Sequence, residues 1–314
     1  MSITLLTGQV LVTDSAHTEP PFQTWKLVLA YDGTGFSGWQ VQPGELTVQG
    51  ELQSALGRVT GESPLPQGSG RTDAGVHALG QVASFPLQAA IPAENLLRAC
   101  NKTLPSAIRV LSAETVSPLF HARHSSVSKI YEYRILLAHP GRRQICPPFL
   151  ARYVYDYPWP LNLAALQSAA DAFLGEHDFC SFAATDPELV SRKTDPGFGS
   201  VLSVQNETRT TVRKIISSSW QQQPHEAGEM LIYRIRGNGF LHHMVRNFVG
   251  TMLDVGRGRL ESSESPAIIA ARARSAAGPT APARGLFLHS VEYRDPSEVT
   301  HSSSDGPPDS LGHQ

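Results

Sequence analysis

Cysteine and lysine are both scarce in this chain of 314 residues. The three cysteines, Cys100, Cys146 and Cys180, form no C-x-x-C pair, which argues against a disulfide framework or a zinc knuckle and favours a reducing compartment. Only five of the 26 basic residues are lysines, and the other 21 are arginines. Because the planar guanidinium group can hold a phosphate through two hydrogen bonds, this usage suits a phosphate-bearing partner, although it can also reflect genome composition.

Long apolar runs are missing as well. The first 23 residues contain no Lys or Arg and no sustained apolar stretch, which argues against a signal peptide, a transit peptide or a membrane span. We therefore expect a cytoplasmic protein. The phosphate loop G-x-x-x-x-G-K-[ST] does not occur either, so the sequence gives no support for NTP binding.

Charge is distributed unevenly along the chain. The segments 1–23 and 295–314 hold six of the 28 acidic residues and none of the 26 basic ones, and their composition predicts disordered tails. The whole chain has a formal charge of −2, whereas the body from 24 to 294 has about +4. A mildly basic body is compatible with nucleic-acid binding but does not establish it.

The first part of the body has the patterns of strands and helices in irregular order. Alternating apolar residues predict strands at 25–31 and 81–87, and helical spacing at 47–59 predicts a helix with Thr47 as a possible N-cap. A second helix is predicted to begin with Pro92 in its first turn, because proline is tolerated there.

After residue 118 a second unit is predicted, with the strand "KIYEYRILLA" and helices near 241–255 and 265–275. Strands and helices mix without a regular βαβ alternation, which favours an α+β fold with mainly antiparallel sheets. We divide the body into an N-terminal α+β domain, 24–118, and a C-terminal one, 119–294. The stretch 185–207 is rich in Pro, Gly, Ser and charge and predicts a long loop.

The stretch "QGSGRTDAGVHALGQVASF", residues 67 to 85, surrounds one Arg and one Asp with four glycines. Gly68, Gly70, Gly75 and Gly80 predict a shaped, exposed turn, because glycine allows positive φ angles and close approach of a ligand. Asp73 is then presented to a ligand. Alternatively, Asp73 bonds to its own backbone amides in an ordinary surface turn.

Two later segments combine basic and aromatic or histidine side chains. In "FHARHSSVSKIYEYRI", the basic residues and tyrosines could hold phosphates and stack a base, or Tyr131 could simply fill the core. In the predicted helix at 241–255, His242, His243, Arg246 and Asn247 fall largely outside the apolar stripe. Adjacent histidines point about 100° apart on a helix, so no metal site is expected. Arg246 either helps to bind an anion at the helix N-terminus or lies on a solvated face.

Five segments, in their order and spacing, resemble the TruA family of tRNA pseudouridine synthases over roughly residues 24 to 294: "YDGTGFSGWQ", "GRTDAGVHALGQVASF", "FHARHSSVSKIYEYRI", "GNGFLHHMVRNFVG" and "ARGLFLHSVEY". The resemblance implies that Asp73 is the catalytic carboxylate and that Arg71, Tyr131 and Arg246 bind the substrate. It also implies two similar α+β domains facing each other across a basic cleft, and a homodimer acting on tRNA.

The implied reaction converts uridine to pseudouridine at positions 38, 39 and 40 in the anticodon stem and loop, with no cofactor and no metal. Asp73 could attack C1′, add to C6 of uracil or remove the C2′ hydrogen, and the sequence does not choose among these. Two other classes remain: a non-catalytic RNA-binding protein, which would not need the carboxylate, and a hydrolase, which would release free uracil.

Overall fold

A computed structural model describes residues 22–139, 141, 145–184 and 210–294. The predicted tails, apart from residues 22 and 23, and the predicted loop at 185–207 lie outside these ranges. The strands are β1 (Gln23–Tyr31), β2 (Gln67–Gly68), β3 (His77–Leu87), β4 (Ile108–Val116), β5 (Ser126–Leu137), β6 (Tyr155–Tyr157), β7 (Gly175–Asp178), β8 (Val212–His225), β9 (Gly228–Gly237) and β10 (Leu286–Tyr293). The described α-helices, which pack on these strands, are α1 (Val48–Thr60), α2 (Ala93–Thr103), α3 (Leu163–Asp171), α4 (Met244–Gly256) and α5 (Ser265–Ala270).

The described strands form one sheet in the order β4-β1-β3-β10-β5-β9-β8-β7, with β2 beside β3 and β6 beside β5. Their pairing is antiparallel except where β10 meets β3 and where β6 meets β5. The α+β fold with mainly antiparallel pairing is therefore confirmed.

Strand β10 connects the two parts of the chain. It pairs in parallel with β3, where Phe287 lies opposite His77, and antiparallel with β5, where Leu288 lies opposite Tyr131. The sheet is consequently continuous across the predicted boundary between residues 118 and 119. The division into two domains stays a prediction.

Capping explains where several helices begin and end. Thr47 is the N-cap of α1, and its hydroxyl accepts a hydrogen bond from the Gly50 amide, as the sequence predicted. Pro92 is the N-cap of α2 and not a residue of its first turn, because its backbone is extended. The predicted helix at 265–275 already ends at Ala270, and Arg272 takes a left-handed φ of 49° soon after.

Large side chains from both parts of the chain fill one continuous core. On α4, Phe248 is fully buried and stacks on Phe173 with ring centroids 4.1 Å apart. Packing of this kind fixes the rotation of α4 about its axis, which decides where its first turn points. In the part of the chain that the structure describes, no helix is long and apolar enough to cross a bilayer.

Candidate active site

Asp73 lies in the turn between β2 and β3, and hydrogen bonds hold the backbone of this turn. The Trp39 amide donates to the Thr72 carbonyl oxygen at 3.0 Å, and the Val76 amide donates to the Asp73 carbonyl oxygen at 3.1 Å. The buried Thr72 hydroxyl lies 2.8 Å from the Tyr31 hydroxyl. The carboxylate is therefore presented from a rigid turn, with 19% of its side chain exposed.

The glycines of this segment have different functions. Gly75 has a φ of 77°, which favours glycine, and it allows the chain to turn directly after Asp73. Gly80, by contrast, is buried in β3, where a Cβ would lie 2.7 Å from the His289 carbonyl oxygen. The prediction of one exposed turn through residue 80 is therefore wrong, because this glycine allows β10 to approach β3.

His77, in the same segment, is a structural residue that sequence reasoning missed. Its Nδ1 accepts a hydrogen bond from the Gly33 amide at 3.1 Å, and its Nε2 lies 2.9 Å from the Arg152 carbonyl oxygen. Burial lowers the pKa of this imidazole, although the Asp32 carboxylate opposes the effect. A neutral His77 that accepts at Nδ1 and donates at Nε2 satisfies both contacts and ties the turn to neighbouring loops.

Three side chains from the first turn of α4 and the two residues before it converge on the Asp73 carboxylate. Arg246 donates from Nη1 to Oδ2 at 2.9 Å. The Nε2 atoms of His242 and His243 lie 3.5 Å from Oδ1 and 3.4 Å from Oδ2. Residues far apart in sequence thus assemble around one partly buried carboxylate.

Arg246 is fixed at both ends of its guanidinium group. Its Nε donates to the Ala281 carbonyl oxygen at 2.8 Å, while Nη1 bonds Asp73. The Ala281 amide in turn donates to the Arg246 carbonyl oxygen. This arrangement places Arg246 beside the carboxylate, and the prediction that it lies in the first turns of α4 is confirmed.

His243 precedes α4 and has a left-handed backbone, with a φ of 60°. Its pKa is lowered by burial and by the neighbouring His242, Arg246 and Arg274, and only the Asp73 charge opposes this. Within the described residues, the buried Nδ1 of His242 has no hydrogen-bond partner, while its Nε2 faces Asp73.

Helix geometry does not exclude a metal here, contrary to the prediction, because α4 begins after the two histidines. Their imidazole nitrogens and an Asp73 oxygen lie within 4.8 Å of one another, close enough to share an ion. Arg246 already occupies Oδ2 and would repel a cation. That the site functions without a metal stays a prediction.

The sequence suggested that Asn247 lies outside the apolar stripe of the helix. In the structure it is instead completely buried. Its Nδ2 donates to the Phe182 carbonyl oxygen at 2.7 Å, and its Oδ1 accepts from Arg274 and Thr280. The amide thereby anchors the first turn of α4, from which Arg246 reaches Asp73. In the sequence, the only signal of this anchoring function was a polar residue one position after Arg246.

Tyr131 lies on β5 with 7% of its surface exposed, packed edge-on against Phe240 at 5.0 Å between ring centroids. Burial raises the pKa of its hydroxyl, and the nearby Tyr31 and the Asp73 charge raise it further. Tyr131 is therefore part of the core and also close to Asp73. Arg71 lies two residues before Asp73 and is exposed.

The mainly antiparallel sheet of this α+β fold thus presents one carboxylate among arginine and histidine side chains. The sequence profile of the tRNA pseudouridine synthases matches residues 27–125 and 197–294. The chain belongs to the tRNA pseudouridine synthase family.

Individual relatives agree with this assignment. A protein of Solibacter usitatus named tRNA pseudouridine synthase A is 47% identical over 268 residues, which cover 85% of this chain and 98% of that protein. Proteins of the same name from Moorella thermoacetica and Bacillus pumilus are 42% and 40% identical over 270 residues, again covering 85% of this chain and 98% of each relative.

Proposed function

We propose that this protein isomerises uridine to pseudouridine at positions 38, 39 and 40 in the anticodon stem and loop of tRNA. The observation that carries the proposal is the contact of Asp73 with Arg246 in a chain of this family. The protein acts in the cytoplasm as a homodimer, and Asp73 is its catalytic residue.

The reaction needs one reactive carboxylate. The C1′–N1 bond breaks, the uracil turns while it stays bound, and C5 bonds to C1′. C5 loses its hydrogen, and N1 gains one. Glycosidases use two carboxyl groups because one must protonate the leaving group. Uracil leaves as a delocalised anion, which the Arg246 guanidinium stabilises by charge and hydrogen bonding.

The two carboxylate oxygens of Asp73 have different surroundings. Oδ2 accepts the Arg246 hydrogen bond at 2.9 Å, whereas the imidazole of His242 lies 3.5 Å from Oδ1. Oδ1 is therefore the oxygen that reacts with the nucleotide, while Arg246 holds the carboxylate in place. The attacked atom is C1′ or C6, or the carboxylate removes the C2′ hydrogen.

Tyr131 and Arg71 position the substrate. The target base is stacked in free tRNA and must be flipped out before Asp73 can reach it. Tyr131 packs against the flipped uracil from the wall of the site, and the exposed Arg71 binds the RNA as the nucleotide enters.

The deciding experiment incubates the purified protein with unmodified tRNA transcripts and maps pseudouridine by nucleotide. We expect conversion at positions 38 to 40 and no release of free uracil. Binding of tRNA without conversion would instead identify a non-catalytic RNA-binding protein, and free uracil would identify a hydrolase. Conversion confined to other regions of tRNA would overturn the assigned positions.

A further inference from the structure

Three basic side chains form a second cluster beside the Asp73 turn, which we name the Lys129 pocket. It consists of Lys129 at the start of β5, Arg123 in the turn before β5, and Arg213 on β8.

Lys129 lies directly against the turn that carries the carboxylate. A Cβ placed on Gly70 would be 3.6 Å from Nζ of Lys129 and within 3.9 Å of its Cδ and Cε. Gly70 is three residues before Asp73. The end of the Lys129 side chain therefore packs beside the backbone of Gly70.

The strand spacing relates the Lys129 pocket to the catalytic site. Lys129 and Tyr131 are two residues apart on β5, opposite Gly237 and Ile235 in a regular stretch of pairing with β9. Their side chains therefore leave the same face of the strand, about 7 Å apart. Tyr131 is close enough to Asp73 for the carboxylate to raise its pKa. Lys129 thus lies on the same face of β5 as the ring that contacts the base in the proposed function.

The charges in the Lys129 pocket repel one another. Burial, together with Arg123 and Arg213, lowers the pKa of Lys129 to about 8. Burial and Arg123 also lower the pKa of Arg213. Among the described residues, no carboxylate lies within ion-pair distance of Lys129. A partly buried cation that lacks an acidic partner is costly, and a bound anion relieves that cost.

We propose that the Lys129 pocket binds a backbone phosphate of the RNA next to the flipped uridine. The proposal rests on the function proposed above, because it assigns the pocket to that substrate. Lys129 supplies a point charge, and the guanidinium groups of Arg123 and Arg213 supply directed hydrogen bonds. Gly70 and Gly239 leave room for the sugar-phosphate chain. Arg213 packs beside Gly239, where a Cβ would lie 3.5 Å from its Nε.

The test compares Lys129→Met, which keeps the aliphatic stem and removes the charge, with Lys102→Met, an exposed lysine on α2. Single-turnover rates and tRNA dissociation constants are measured over a range of salt concentrations. For Lys129→Met we expect affinity to fall about tenfold at low salt, and the slope of log K against log salt to shrink by about 1. Lys102→Met should match the wild type in both.

Thermal melting without RNA separates this function from a structural one. Removing a cation that lacks a partner should leave the melting temperature of Lys129→Met unchanged or higher, whereas loss of a structural lysine would lower it. A lower melting temperature with an unchanged salt slope would overturn the proposal. So would a Lys129→Met protein that binds tRNA like Lys102→Met.

The pH dependence gives a further check with Lys129→Arg. The groups that act on Lys129 are the guanidinium groups of Arg123 and Arg213, and guanidinium groups stay protonated at neutral and mildly alkaline pH, so loss of tRNA affinity between pH 7 and pH 9 reports Lys129 itself. We expect this loss in the wild type and a flatter profile in Lys129→Arg. If the wild type forms no pseudouridine on any tRNA, the proposed function fails. The salt slopes and pH profiles still test whether the Lys129 pocket binds a phosphate of the RNA.

Discussion

Asp73 and Arg246 are 173 positions apart in the chain, and their side chains meet at 2.9 Å. The carboxylate comes from the turn before β3, and the guanidinium group comes from the first turn of α4, where Ala281 also holds it. Both groups are mostly shielded, with 19% and 15% of their side chains exposed. Loss of one partner of such a pair is more costly than at the surface, because it leaves the other charge uncompensated and partly buried.

Replacing Asp73 by Asn retains the shape of the side chain and removes its charge. We expect no detectable pseudouridine formation, because the amide is not a nucleophile or a base, whereas tRNA affinity stays within a few fold of wild type, since phosphate contacts supply most of it. Mapping of modified nucleotides and filter binding measure the two effects. A variant with a tenth of wild-type activity would remove Asp73 from the chemistry.

Tyr131 can be tested by separating its ring from its hydroxyl. Tyr131→Phe should melt within a few degrees of wild type and bind tRNA normally, yet isomerise uridine much more slowly, because the hydroxyl lies close to Asp73. Tyr131→Ala should lower the free energy of unfolding by about 3 kcal/mol, since the ring packs in the core. Full single-turnover rates for Tyr131→Phe would show that only the ring matters.

The backbone at His243 predicts an unusual ranking of substitutions. Asn is well tolerated at a φ of 60°, so His243→Asn should keep the wild-type stability. His243→Val should lose about 1–3 kcal/mol, because a β-branched residue is strained there. Urea unfolding of both variants provides the measurement. Equal stability of the two would mean that the left-handed conformation costs nothing here.

Stability should fall on acidification because of His77. Burial places its folded pKa below the unfolded value of about 6.5, so the unfolded state binds more protons between these two pKa values. The contribution of His77 is fully present above pH 6.5 and is lost as the pH falls through the folded pKa. Melting temperatures between pH 8 and pH 5 should fall less steeply for His77→Gln than for wild type, with His225→Gln as the control. A wild-type slope in His77→Gln would contradict this origin.

Local patterns in the sequence predicted strands β1, β3 and β5, the Thr47 cap and the start of α4 to within a few residues. The family resemblance pointed to Asp73, Arg246 and Tyr131. The structure brings Arg246 into hydrogen-bond contact with Asp73, and the functions of all three stay predictions. The positions of His242 and His243 could not be predicted, because helical geometry was assumed where His243 is left-handed. The burial of Asn247 depends on partners such as Phe182 and Arg274, which long-range packing alone supplies.

The place of β10 between β3 and β5 affects the order in which the chain can fold during synthesis. Residues 286–293 leave the ribosome after every other described strand, so β3 and β5 have unpaired edges until then. Exposed edges of this kind favour pairing with other chains, and a nascent protein would depend on chaperones or rapid completion to avoid it. The last of the described strands to be made is thus the one that joins the turn of Asp73 to the strand of Tyr131.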